Sequence, residues 1–81
     1  MKIKIDVSID NVNKICSICD TYDFDVNIVC GIKCVDGKST LGVMEMCNHT
    51  VEVIPVTHDY RKVSEFFTRL EEVGAYLEEE E

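Results

Sequence analysis

The hydrophobic period of this chain changes from two to about 3.6 within a few residues of its start, which calls for strands and helices that are each apolar on one side. Ile3, Ile5 and Val7 alternate with Lys2, Lys4 and Asp6, the pattern of a strand buried on one face. Val12, Ile15, Cys16 and Cys19 then fall at i, i+3, i+4 and i+7 along one face of a helix, which Ile18 and Tyr22 widen. The spacing predicts a helix over residues 11–22, with Asp10 as its N-cap.

The same two periods recur. Val26, Ile28 and Cys30 alternate with Asp25, Asn27 and Val29 as a second strand. Gly31 supplies a tight turn, and Lys33, Cys34 and Val35 complete a hairpin. Asp36-Gly37 ends it, and Ser39 is placed to cap a short helix from Thr40 to about Met46. Thr50 to Val56 reads as the fourth strand, with Val51, Val53 and Pro55 on one face. Pro55 points to a strand end or a sheet edge, since it has no N–H to donate. Thr57 or Asp59 then caps a last helix whose apolar stripe is Val63, Phe66, Phe67, Leu70, Val73 and Leu77, weakened by Gly74. The expected architecture is an α+β two-layer sandwich, β-α-β-β-α-β-α, with three helices on one face of a four-stranded antiparallel sheet. Residues 1–77 form one expected domain, and the run Glu78-Glu79-Glu80-Glu81 a frayed acidic tail.

Charge narrows the partners. The 81 residues carry 16 acidic and 8 basic side chains, a formal net charge of −8. Nucleic acid and anionic membranes are disfavoured, because phosphate binding needs a basic patch. No apolar run reaches the roughly 20 residues of a membrane span. The alternating start lacks the apolar block of a signal peptide, so a cytoplasmic location is expected. Five cysteines, an odd number, fit free thiols in a reducing compartment.

The segment Asp36-Gly37-Lys38-Ser39-Thr40-Leu41-Gly42-Val43-Met44-Glu45-Met46 resembles the Lys-Ser-x-x-Gly-Val-Met segment of HPr, the small phosphocarrier of the bacterial sugar phosphotransferase system. Asp25-Val26-Asn27-Ile28 is similar to that family's second strand, and Leu70-Glu71-Glu72 to its last helix. The resemblance implies an HPr-like open-faced sandwich. It makes Ser39 a regulatory phosphorylation candidate and assigns Thr40, Leu41 and Met44 to a partner-binding surface. It also sets the family's active His at Ser8, its Arg at Asp10 and its Pro at Asn11, while this chain's histidines are His49 and His58. An imidazole is therefore missing where phosphate would be carried, and a carboxylate stands where a cation would steady it. The link Cys47-Asn48-His49 is a few residues shorter than the family's usual one.

The expectation is a non-enzymatic regulatory or scaffold protein, without cofactor, whose partners are proteins: a regulator, a kinase or a phosphotransferase-system component. It would be open to phosphorylation at Ser39 and would not carry phosphate on histidine. The alternative is a thiol or metal protein, with Cys16 and Cys19 on the helix converging with Cys30 and Cys34 on inward positions of the hairpin. Core packing is the stronger explanation of these cysteines, because Cys buries as a small hydrophobe.

Overall fold

The computed structural model describes residues 1–78. Its elements are β1 (Ile3–Asp6), α1 (Val12–Asp20), β2 (Asp25–Cys30), β3 (Lys33–Asp36), α2 (Thr40–Met44), β4 (Thr50–Val56) and α3 (Tyr60–Glu71). This is the order that the hydrophobic periods predict. The sheet runs β1-β4-β2-β3 with every neighbouring pair antiparallel.

Register follows from burial on one face. Ile3 and Ile5 lie opposite Val53 and Val51, and Ile28 lies opposite both Val53 and Val35. All but Val35 are fully buried beneath the helices, where Val12, Ile15, Cys19, Val43, Phe66 and Leu70 join the same cluster. Burying each large aliphatic or aromatic side chain contributes about 1.5–3 kcal/mol. The alternate positions form the uncovered face, where Lys4 pairs across to Glu52 and Val29 to both Glu52 and Cys34. Shifting any strand by one residue would turn its apolar set into water, so this face contrast fixes the pairing.

Pro55 is buried in an interior strand, but it lies beyond Val53, the last β4 residue paired with β1. There β4 has a neighbour on one side only, which tolerates the missing N–H.

Four helix boundaries differ from the periodicity reading. Helix α1 starts at Val12, and the residue at its cap position is Asn11, not Asp10, which is exposed. The Asn11 side chain faces backwards: its Oδ1 accepts from Ser8 N at 2.8 Å and its Nδ2 donates to Asp6 O at 2.8 Å. A carboxylate could accept but could not donate to the Asp6 carbonyl, which is the chemical reason an amide serves here. Helix α1 also stops at Asp20, leaving Tyr22 past its end, and α2 stops at Met44, with buried Met46 in the turn that follows.

Helix α3 is capped by Asp59, whose carboxylate accepts from Arg61 N and Lys62 N. It ends at Glu71 rather than continuing to Leu77. Gly74 takes φ +108°, a conformation that stops a right-handed helix and that side chains disfavour. Val73 and Leu77 therefore leave the predicted stripe. Ala75 N donates back to Leu70 O at 3.0 Å, and Tyr76 exchanges two backbone bonds with Lys4, at 2.9 and 2.8 Å. Of the acidic tail, Glu78 lies 3.1 Å from Lys4 Nζ, and residues 79–81 lie outside the described residues.

Phe66 is the aromatic centre of the core. Its ring meets Tyr22 edge-on at 5.3 Å and Phe24 at 5.6 Å, while Tyr22 and Phe24 stack at 5.1 Å. The Tyr22 hydroxyl donates to Glu65 Oε1 at 2.7 Å, and the Arg69 guanidinium lies 5.8 Å from the Tyr22 ring centre. Tyr22 thus holds the chain after α1 against α3. Replacing Phe66 by Ala should remove about 3–5 kcal/mol of stability, measured by urea unfolding, because the rings around it cannot close the cavity.

Candidate functional site

The site is built where α2 lies beside the start of α1. Gly37 is what lets the chain arrive there. Its N–H donates to Val26 O at 2.8 Å, and a Cβ at this position would stand 2.9 Å from Val26 Cγ1 and 3.1 Å from Cys19 Sγ. Any side chain would push the segment off the sheet. The Asp36 carboxylate accepts from Lys38 N at 2.9 Å, and Ser39 N donates to Asp36 O at 3.0 Å, closing the turn. The Lys38 ammonium then reaches Tyr22 O at 2.7 Å, a cation at the carbonyl-rich end of α1.

Ser39 is exposed and extended, φ −94° and ψ 109°, and its Oγ accepts from Gly42 N at 3.2 Å. It is the N-cap expected from its position. Thr40 faces Cys16 of α1 across the groove between the two helices. Leu41 is 77% exposed and Met44 44%, whereas Val43 and Met46 on the opposite side are buried. The outward side of α2 is therefore apolar in water.

The far end of α2 is tied to the end of β1. Asn48 N donates to Val7 O at 2.8 Å and Val7 N to His49 O at 3.0 Å, with Asn48 at φ 70° to make the return. The Thr50 hydroxyl bonds to the Asp6 carboxylate. Thr40 against Cys16 at one end and Asn48 against Val7 at the other set α2 antiparallel to residues 7–16. Ser8, Asp10 and Asn11 thus lie toward the turn that follows α2, and the start of α2 lies beside the middle of α1. Asn13, Cys16, Ser17 and Asp20 face Lys38 and Thr40 across the groove between the two helices.

Ile9, which the sequence pattern does not single out, is 75% exposed at the α1 start. The signal was available: an isoleucine that belongs to neither the strand alternation nor the helix stripe.

The cysteines do not converge. Cys16 and Cys19 are buried and Cys30 is partly buried, but Cys34 is exposed, opposite Val29 on the uncovered face of the sheet. The expectation that Cys34 points inward is wrong because Val35, paired with Ile28, takes the inward position. Four thiolates around one ion would need Cys34 on the other side of its strand. Among the described residues no group of three His, Cys, Asp or Glu side chains is arranged to hold a metal ion. Burial pushes the Cys16 thiol up from its ordinary value of 9.0, and pushes Cys19 up to about 12. Both therefore stay protonated at neutral pH, the opposite of a reactive thiolate. His49 and His58 are exposed, flanking β4.

Solved structures share this fold. HPr-C-His from Thermoanaerobacter tengcongensis superposes with a TM-score of 0.67 at 12% identity, over 88% of this chain and 91% of that one. The phosphocarrier protein HPr from Bacillus anthracis str. Ames gives 0.62 at 14% identity, over 85% and 94%. The fold is that of HPr. No family model matches the sequence, and no curated protein matches it.

The thiol assignments lead to a direct test. Alkylation of the native protein with iodoacetamide, read by peptide mass, should label Cys34 first and leave Cys16 and Cys19 unlabelled until denaturant is added. The raised Cys19 value also sets a pH dependence. Above pH 9.0 the unfolded thiol ionises while the folded one keeps its proton to about 12. The folded state then binds more protons, so stability falls as pH rises across that window and is unaffected by this group below it. Urea midpoints of the native protein and of Cys19→Ala, compared between neutral pH and pH near 10, should show a smaller loss in the variant.

Proposed function

We propose that this HPr-like protein acts by protein–protein contact, as a regulatory or scaffold component rather than an enzyme, through the face formed by α2 and the start of α1. The supporting observation is the outward side of α2, where Leu41 and Met44 stand exposed one turn from the accessible hydroxyl of Ser39. A buried core that already holds Val43 and Met46 gives these two side chains no structural task. At the α1 start, where the resemblance sets the phosphocarrier histidine, the chain has half-buried Ser8 beside exposed Asp10, and neither can serve as an imidazole carrier. Histidine phosphotransfer is therefore not part of the proposed role.

Ser39 is the proposed regulatory position. A phosphate there would add charge of about −1.5 to −2 to a face that partners would touch. The nearest cation, Lys38, is engaged with Tyr22 O. No helix among the described residues is long and apolar enough to cross a membrane, and the proposed setting is the cytoplasm of a bacterium.

Incubation with the kinase that phosphorylates the serine of HPr, together with ATP, should add the mass of one phosphate, and Ser39→Ala should abolish it. No phosphate on Ser39 would remove the regulatory part of this reading. With Enzyme I, the histidine kinase of the sugar phosphotransferase system, no acid-labile phosphate should be transferred; a phosphohistidine on His49 or His58 would refute the non-carrier assignment. The Ser39→Ala variant should also lose about 0.5–2 kcal/mol of stability with its cap, so its fold is checked by circular dichroism first.

A further inference from the structure

We infer that the contact face selects a partner surface that is apolar at its centre and edged with lysine or arginine, an inference that rests on the protein-contact reading above. The centre on this chain is Ile9, Leu41 and Met44, all exposed. Ile9 stands at the α1 start and Leu41 and Met44 on α2, two segments held side by side by the Val7 bonds to Asn48 and His49 and by the groove that Cys16 and Thr40 share.

The rim is acidic. Asp10 follows Ile9, Glu45 follows Met44, and Asp20 lies in the groove shared with Thr40; all three are exposed. Three lysines stand near this face, and two of them are engaged. Lys38 is half-buried and donates to Tyr22 O, and Lys33 reaches Glu45 at 3.0 Å from β3, as an exposed pair that a partner's cation can replace. Lys14 is the one basic side chain of α1, and α2 itself carries no charge. Apolar contacts at the centre would supply affinity, and the rim would decide which partners approach. The same sign repels nucleic acid and acidic protein surfaces.

Two synthetic helical peptides about 18 residues long, long enough to hold a helix, test this. Both carry the same leucine stripe; one is edged with Lys and the other with Glu. The full chain, labelled with nitrogen-15, is titrated with each and the amide shifts are mapped. The Lys-edged peptide should shift Ile9, Asp10, Leu41, Met44 and Glu45 and should weaken as salt is raised. The Glu-edged peptide should leave them unmoved at the same concentration. Leu41→Ala with Met44→Ala should weaken the Lys-edged peptide at least tenfold, and Asp10→Lys with Glu45→Lys should reverse the preference. All four side chains are exposed, so folding is preserved. Equal or tighter binding of the Glu-edged peptide at this face would overturn the charge assignment and leave the contact reading standing. Shifts confined to the open sheet face, or no shift of the patch with either peptide, would overturn both.

Discussion

The close approach of the backbone at Gly37 to Val26 and Cys19 is the constraint on which the site depends. It joins β3 to α2 without a side chain in between, and three placements follow within five residues. Lys38 is aimed at the end of α1, Ser39 is set extended at the helix start, and Gly42 N is brought to its hydroxyl. The sulfur of Cys19 is one wall of this contact, which gives a buried cysteine a steric role. Its suppressed ionisation is a consequence of the same packing.

Core and site are therefore one construction. The sheet buries Ile3, Ile5, Ile28, Val51 and Val53, and the helices that cover them are held in register by Tyr22, Phe24 and Phe66. Helix α2 is too short to be stable alone. It persists because Val43 and Met46 are buried, while both of its ends are tied to neighbouring segments. What remains outward is determined by subtraction: residues of α2 that the core does not use are the ones a partner can touch.

Much of this was legible from the residues alone. Alternation in residues 3–7 and 50–56 located two strands, and the Lys38-Ser39 turn with its cap was read in the right place. What escaped was where a side chain has more than one reasonable position. Asp10 and Asn11 are both good cap residues by type, but Asn11, at the cap position, turns its side chain back to Ser8 N and Asp6 O and makes no cap bond of its own. The inward position expected for Cys34 fails because Cys34 pairs with Val29 and Val35 takes the covered side opposite Ile28. The stripe of α3 continued on paper to Leu77 because periodicity carries no record of Gly74's positive φ. Ile9 was hidden for the opposite reason: it belongs to no period, and exposure of an isolated apolar residue cannot be seen until the segments beside it are placed.

The pairing of Tyr76 with Lys4 has a consequence for colloidal behaviour. An open sheet has two borders whose unpaired amides invite another chain to add a strand. On the β1 side, the segment after Gly74 occupies that border with two backbone bonds and a Lys4–Glu78 ion pair. The opposite border, β3, is short and carries Lys33 and Asp36 at its ends, charges that resist strand addition by a second copy. The chain's own C-terminal residues thus act as a guard rail against fibre-like stacking. A truncation before Ala75 would leave that margin of the sheet open.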